Sequence, residues 1–186
     1  MSLTEQQKAY HLRKMRTAAL RFDTDKDGNL SREDFVLMGQ RLVERGNLTE
    51  EQARLGQEGF MKYADLFELK PGMKIPLDDI AHKVSDTLLD MSREERKAVI
   101  YTVSEVLFDV MDLNKKGYIS LDEFKVHYQI LGMDIPDEDA TRSFKTIDTN
   151  KDGKISREDF CAIADDFYNG VDETETSNVL YGFLLD

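Results

Sequence analysis

DTDKDGNLSRED, from Asp23 to Asp34, recurs twice further along the chain without a gap, as DLNKKGYISLDE from Asp112 to Glu123 and DTNKDGKISRED from Asp148 to Asp159. Each copy has oxygen-bearing side chains at positions 1 and 3, glycine at 6, an aliphatic residue at 8, serine at 9 and an acid at 12. Such spacing wraps a chain segment around a hard cation, with oxygens facing inward and the glycine allowing the sharp turn. Three related copies in one chain leave little room for coincidence.

The flanks carry a second signal. Met15, Ala18, Ala19 and Phe22 are spaced to line one face of a helix entering the first loop, and Phe35, Phe124 and Phe160 follow position 12 of the three loops. Carried into the middle of the chain, that frame finds a fourth unit: Phe60, Tyr63, Ala64 and Phe67 on the way in, Ile75 at position 8, Ile80 after position 12. Its loop, ELKPGMKIPLDD over 68–79, has Lys70 at position 3, a displaced Gly72 at 5, Met73 at 6 and Pro76 at 9, so it is expected to pack without holding metal. The pattern predicts an all-α fold: a compact globule of four EF-hand helix–loop–helix units in two pairs. One pair spans 1–90, with loops 23–34 and 68–79; the other spans 91–186, with loops 112–123 and 148–159 and an apolar tail over 179–185. Position-8 residues, Leu30 with Ile75 and Ile119 with Ile155, are expected to bridge the loops of each pair as short strands. Capping boxes at Thr4–Gln7, Thr49–Gln52 and Ser92–Glu95 mark helix starts, and Gly46, Gly132 and Gly170 mark helix ends. Pro136 followed by three acids suits the first turn of a seventh helix.

Loop one offers Asp23, Asp25, Asp27, the Asn29 carbonyl and Asp34; loop four offers Asp148, Asn150, Asp152, the Lys154 carbonyl and Asp159. Loop three offers Asp112, Asn114, the Tyr118 carbonyl and Glu123. Calcium takes roughly six to eight oxygens, and a glutamate at position 12 normally supplies two. Asp34 and Asp159 are one methylene shorter, so single-oxygen contact there brings the coordination nearer to what Mg2+ prefers. Lys116, at position 5 of loop three, donates no oxygen and adds a positive charge. Its ammonium is expected to swing into solvent and leave a water as ligand. The expected order of Ca2+ affinity is one, four, three, with loop two inactive.

Composition narrows the partners. Asp and Glu number 37 against 25 Lys and Arg, a formal charge of −12, which repels nucleic acid and anionic membrane and suits cations. The single Cys161 cannot form an internal disulfide and is expected in the core, consistent with a reducing compartment. The start, MSLTEQQKAYHLRKM, lacks the apolar run of a signal peptide, Ser2 replaces the glycine that myristoylation needs, and no apolar run approaches membrane-spanning length. A cytoplasmic monomer is the expectation. No nucleotide-binding or nucleophile motif is present, and His11, His82 and His127 have no catalytic or metal spacing, so each is expected to be an exposed or capped imidazole and no enzyme is expected. The eight methionines are dispersed, which argues against an adaptable groove for a peptide.

The end of the chain, SNVLYGFLLD, carries Val179, Leu180, Tyr181, Phe183, Leu184 and Leu185 and is expected to dock on the body, as a plug for the core or a lid over a cavity. Four units, an inactive second loop and a docked tail together resemble the sarcoplasmic calcium-binding protein superfamily. Within it, AYHLRKM from Ala9, SREDF ending at Phe35 and the LYG of Leu180–Gly182 are similar to the coelenterazine-binding proteins. That resemblance implies a helical shell around a hydrophobic luciferin (coelenterazine), with Tyr181 among the pocket groups and calcium releasing the luciferin to a luciferase. A calcium and magnesium buffer with its interior filled by side chains is the alternative, and a peptide-binding sensor stands behind both. Photoproteins share the LYG ending but pair its tyrosine with a histidine and a tryptophan on the last helix. CAIADDFYNG from Cys161 has neither, so oxygenation of a luciferin is not expected.

Overall fold

The structure of the protein, a computed structural model describing residues 3–132, 135–173, 178–182 and 184–185, is built of four helix–loop–helix units. The first is α1 (Glu5–Phe22), β1 (Asn29–Ser31) and α2 (Arg32–Arg45); the second is α3 (Glu50–Leu66), β2 (Lys74–Pro76) and α4 (Leu77–Asp90). The third is α5 (Arg93–Met111), β3 (Tyr118–Ile119) and α6 (Leu121–Ile130); the fourth is α7 (Asp137–Ile147), β4 (Ile155–Ser156) and α8 (Arg157–Asn169).

Local chemistry sets the ends. Hydroxyls of Thr4, Thr49 and Ser92 accept from the backbone N–H of Gln7, Gln52 and Glu95, whose side chains return to the cap backbone, satisfying donors that a helix start leaves free. Ser120 with Glu123 and Ser156 with Asp159 make the same exchange, so the position-9 serine and position-12 acid also begin the outgoing helix. Gly132, at φ +67°, turns the chain out of α6, a conformation a side chain would resist.

The loops join in pairs as the position-8 spacing predicts: Leu30 faces Ile75 across β1 and β2, and Ile119 faces Ile155 across β3 and β4, both antiparallel. Within the pairs α1 packs on α4, α2 on α3, α5 on α8 and α6 on α7; α3–α5, α2–α6 and α1–α8 contacts join the halves into one core. Phe22, Phe35, Tyr63 and Phe67 form an aromatic cluster with ring centroids 5.4–6.2 Å apart. The Tyr181 ring, from the tail, lies 5.3 Å from Phe22 and 5.2 Å from Phe167, joining α1 to α8 through aromatic edges. Val179, Leu180 and Tyr181 are buried and Leu184 and Leu185 half-buried, so this part of the tail docks; Phe183 and Ser2 lie outside the described residues. Cys161 is buried. Among the described residues no helix is long and apolar enough to cross a membrane.

Candidate functional site

In loop one, Lys26 at φ +61° and Gly28 at φ +84° turn the backbone so that its N–H groups face inward. Asp23 accepts from the Asp27 N–H at 3.1 Å and the Gly28 N–H at 3.0 Å, Asp25 from the Asp27 N–H at 3.0 Å, and Asp27 from the Asn29 N–H at 2.8 Å. Asp23, Asp25 and Asp27 each offer an oxygen within 4.8 Å of the others, a hard-oxygen set that fits a divalent cation. Burial pushes the Asp23 carboxyl above its usual range, and the charges of Asp34 and Asp25 add to that. Asp34 stands outside the trio. One of its oxygens accepts from the N–H of Thr24 at 2.8 Å and of Asp25 at 3.3 Å; the other accepts from the Ser31 N–H at 2.9 Å and hydroxyl at 3.0 Å.

Loop three shows what the extra methylene does. Glu123 Oε2 accepts from the Ser120 N–H at 2.9 Å and hydroxyl at 2.7 Å, while Oε1 reaches across the loop to the Asn114 amide at 2.7 Å. Asp112 accepts from the Lys116 and Gly117 N–H groups at 2.9 and 2.7 Å, and Tyr118 opens β3. The Lys116 ammonium does not swing into solvent as expected. It donates to Glu123 at 2.9 Å and lies 4.6 Å from the Tyr118 ring centre, since a carboxylate and a π-face are both within reach. Desolvation pushes the Glu123 carboxyl up, but hydrogen bonds from Ser120 and Lys116 hold it below the usual range.

Loop four resembles loop one. Asp148 accepts from the N–H of Asp152 at 3.2 Å and Gly153 at 2.9 Å, Asn150 from Asp152 at 3.0 Å, and Asp152 from Lys154 at 2.9 Å. Asp159 is the less tied of the two short acids: beyond Ser156 it accepts only a 3.4 Å bond from the Thr149 hydroxyl. Loop two gathers no comparable set. Its Leu69 is buried, its Met73 is exposed, and its carbonyl at Leu69 takes a 2.8 Å bond from Arg32 of loop one. Each pair is tied alike, by an arginine at position 10 and an aspartate three residues before the partner loop: Arg32 with Asp65, Arg157 with Asp109.

Beneath the loops lie polar groups that the loop pattern does not announce. Of the two expectations for His11, exposed or capped, the second holds: it is fully buried and bonded at both ring nitrogens. Its Nε2 lies 2.7 Å from the Tyr168 carbonyl, which can only accept, so Nε2 carries the proton and Nδ1 accepts from the Ser85 hydroxyl at 2.8 Å. Burial pushes its pKa down to about 4, and does the same to His127 on α6, which is also buried and whose Nδ1 has no partner. His82 is exposed as expected. Lys14 is fully buried, donates to the Gly170 carbonyl at 2.7 Å, and so caps the end of α8; burial pulls its pKa to about 8. His11, Lys14, Met15, Ala18 and Phe22 follow one helical stripe, and that spacing was the available signal.

Tyr168 and Tyr181 share a 2.8 Å hydroxyl–hydroxyl bond, and the fully buried Tyr63 hydroxyl beside them has no partner of hydrogen-bonding geometry. Burial keeps all three phenols protonated, pushing Tyr168 up to about 12 and the others well above their usual range. Tyr168 also lines an apolar cleft of about 300 Å³ bounded by Phe67, Val84, Leu88, Val99 and Val103. The tail over this cluster is held by α1: Arg21 donates to the Tyr181 carbonyl at 3.1 Å, Arg13 to the Leu185 carbonyl at 3.0 Å, and the Thr17 hydroxyl accepts from the Leu185 N–H at 3.1 Å. Tyr128 of α6 adds a 2.9 Å bond to the Val179 carbonyl.

Residues 102–164 match the EF-hand domain pair family and residues 20–38 the EF hand. Over 183 residues the chain is 41% identical to the luciferin-binding protein of Renilla reniformis, covering 98% of this chain and 99% of that protein. It is 31% identical over 124 residues to a sarcoplasmic calcium-binding protein of Perinereis vancaurica tetradentata, covering 66% of this chain and 70% of that one. Among solved structures, the calcium-loaded apo form of the coelenterazine-binding protein from Renilla muelleri superposes with a TM-score of 0.91 at 41% identity, over 98% of this chain and all of that one.

Proposed function

The chain belongs to the EF-hand luciferin-binding protein family, and from that membership we propose that it is a calcium-gated carrier which holds a coelenterazine-type luciferin and releases it to a luciferase when calcium binds. Three loops supply the metal ligands: Asp23, Asp25, Asp27, Asn29 and Asp34; Asp112, Asn114, Tyr118 and Glu123; Asp148, Asn150, Asp152, Lys154 and Asp159. The loops ending in Asp34 and Asp159 accept Mg2+ as well as Ca2+. The protein acts by binding rather than catalysis, in the cytoplasm.

The observation that carries the reading beyond a metal buffer is the buried phenol cluster. The hydroxyls of Tyr63, Tyr168 and Tyr181 gather in an otherwise apolar core, and Tyr168 opens on the apolar cleft. A flat hydrophobic molecule with a hydrogen-bonding group can lie in that cleft and meet the cluster through Tyr168. Loop chemistry then couples to the pocket. Asp34 and Asp159 must release their serine partners to reach a cation, and each stands in the first turn of an outgoing helix, α2 or α8. Tyr168 rides on α8, while α1, which feeds loop one, clasps the tail. Helix movement on binding therefore bears on the pocket from both sides, and by linkage calcium and luciferin weaken each other equally.

The test mixes metal-free protein with coelenterazine, desalts it, and records absorbance of the protein peak with and without calcium. Co-elution that calcium abolishes is expected. No co-elution in either state overturns the carrier and leaves a calcium and magnesium buffer with a filled interior.

A further inference from the structure

Loop two holds no ligand set, yet it delivers a charge to its neighbour. The β1–β2 register places Lys74 opposite Ser31, and the Leu77 N–H donates to the Gly28 carbonyl at 3.2 Å, so the two loops are locked side by side. From there the Lys74 ammonium reaches across the pair and bonds Asp27, one of the three converging carboxylates of loop one. We infer that Lys74 is a tethered counter-cation for loop one, lowering its calcium affinity and holding its carboxylates together when metal is absent.

The charges of the loops support this. At ligand positions 1, 3, 5 and 12, loop one carries four aspartates where loop four carries three and Asn150. The three converging carboxylates repel one another, with Asp34 adding its charge nearby, and the Lys74 ammonium at Asp27 brings the charge at loop one's ligand positions level with that of loop four. Lys154 stands at the same loop position in loop four, but its ammonium rests 4.6 Å from the Tyr118 ring centre instead of on a carboxylate. Lending a charge to a carboxylate of the neighbouring loop is thus, among the described residues, a feature of the first pair. The Lys74 side chain is half-exposed, so it can withdraw into solvent when a cation takes Asp27. The residual repulsion between a withdrawn ammonium and the cation is what lowers affinity, by roughly three- to tenfold at separations of several ångströms in a screened, partly aqueous setting.

This inference rests on the reading that loop one binds calcium. The test compares the full chain with Lys74→Gln and Lys74→Arg, following calcium titrations through the backbone amides of Gly28, Gly117 and Gly153, each of which donates to the position-1 aspartate of its own loop. Lys74→Gln should tighten loop one by about three- to tenfold at low salt, with the gain shrinking as salt rises and loop four changing less than about twofold. Lys74→Arg should keep the original affinity. An unchanged loop one in Lys74→Gln, or an equal shift in all three loops, overturns the inference. A Gly28 amide that does not respond to calcium in any variant overturns the loop-one reading with it.

Discussion

In the first pair a lysine reaches the carboxylates from the neighbouring loop, whereas in the second a lysine stands inside the loop it neutralises. Lys74 approaches Asp27 without occupying a ligand position of loop one; Lys116 occupies position 5 of loop three and bonds Glu123 there. The scaffolds are otherwise alike, down to Arg32–Asp65 and Arg157–Asp109 and the paired position-8 residues. A countercharge placed outside the coordination shell can leave and give back every oxygen. One placed within it removes an oxygen for good. The position-12 acids differ in the same sense: one Glu123 oxygen spans its loop to the Asn114 amide, while the corresponding Asp34 oxygen accepts from the backbone N–H groups of Thr24 and Asp25.

Removing the position-1 acids tests this contrast most severely. Asp23→Ala should weaken loop-one calcium binding on the order of a hundredfold or more, read at the Gly28 amide, whereas Asp112→Ala should cost loop three far less. Equal losses would show loop three to be a full site and Lys116 no handicap. The buried imidazoles of the two halves contrast as well. His11→Leu strands the Ser85 hydroxyl and the Tyr168 carbonyl and should cost about 2 kcal/mol in urea unfolding of the metal-free protein; His127→Leu, which removes an orphaned Nδ1, should stay within about 0.5 kcal/mol. Similar costs would break that distinction. Lys116→Gln should tighten loop three about tenfold by calorimetry, because Glu123 loses its internal partner, and an unaltered isotherm would contradict the account of position 5. The smallest effect belongs to Asp34→Glu, which should raise loop-one preference for calcium over magnesium severalfold, measured by competition calorimetry; unchanged selectivity would count against the chain-length argument.

The loops were legible because metal chemistry and turn geometry impose fixed spacings, and even the second loop, with Lys70 and Met73 at positions 3 and 6, kept Ile75 and Ile80 in frame. Strand register followed from position 8, and helix starts from the capping boxes, since both are local. Lys116 was misjudged because its partners, Glu123 and the Tyr118 ring, come together only once the loop is closed. His11, Lys14 and the tyrosine trio escaped for a different reason. Their partners come from α4, α8 and the tail, more than 70 residues away in the case of Ser85, and no local spacing encodes such meetings. Lys74 had only its place in the fourth-unit frame to mark it, and its bond to Asp27 needed the pairing of the loops to be seen.

The central claim is that calcium and luciferin oppose each other through one set of helices. Calcium titration by calorimetry, with and without saturating coelenterazine, tests it directly. The account predicts weaker calcium binding in the loaded protein, by the factor with which calcium weakens coelenterazine binding. Superimposable calcium isotherms in the two conditions would contradict it.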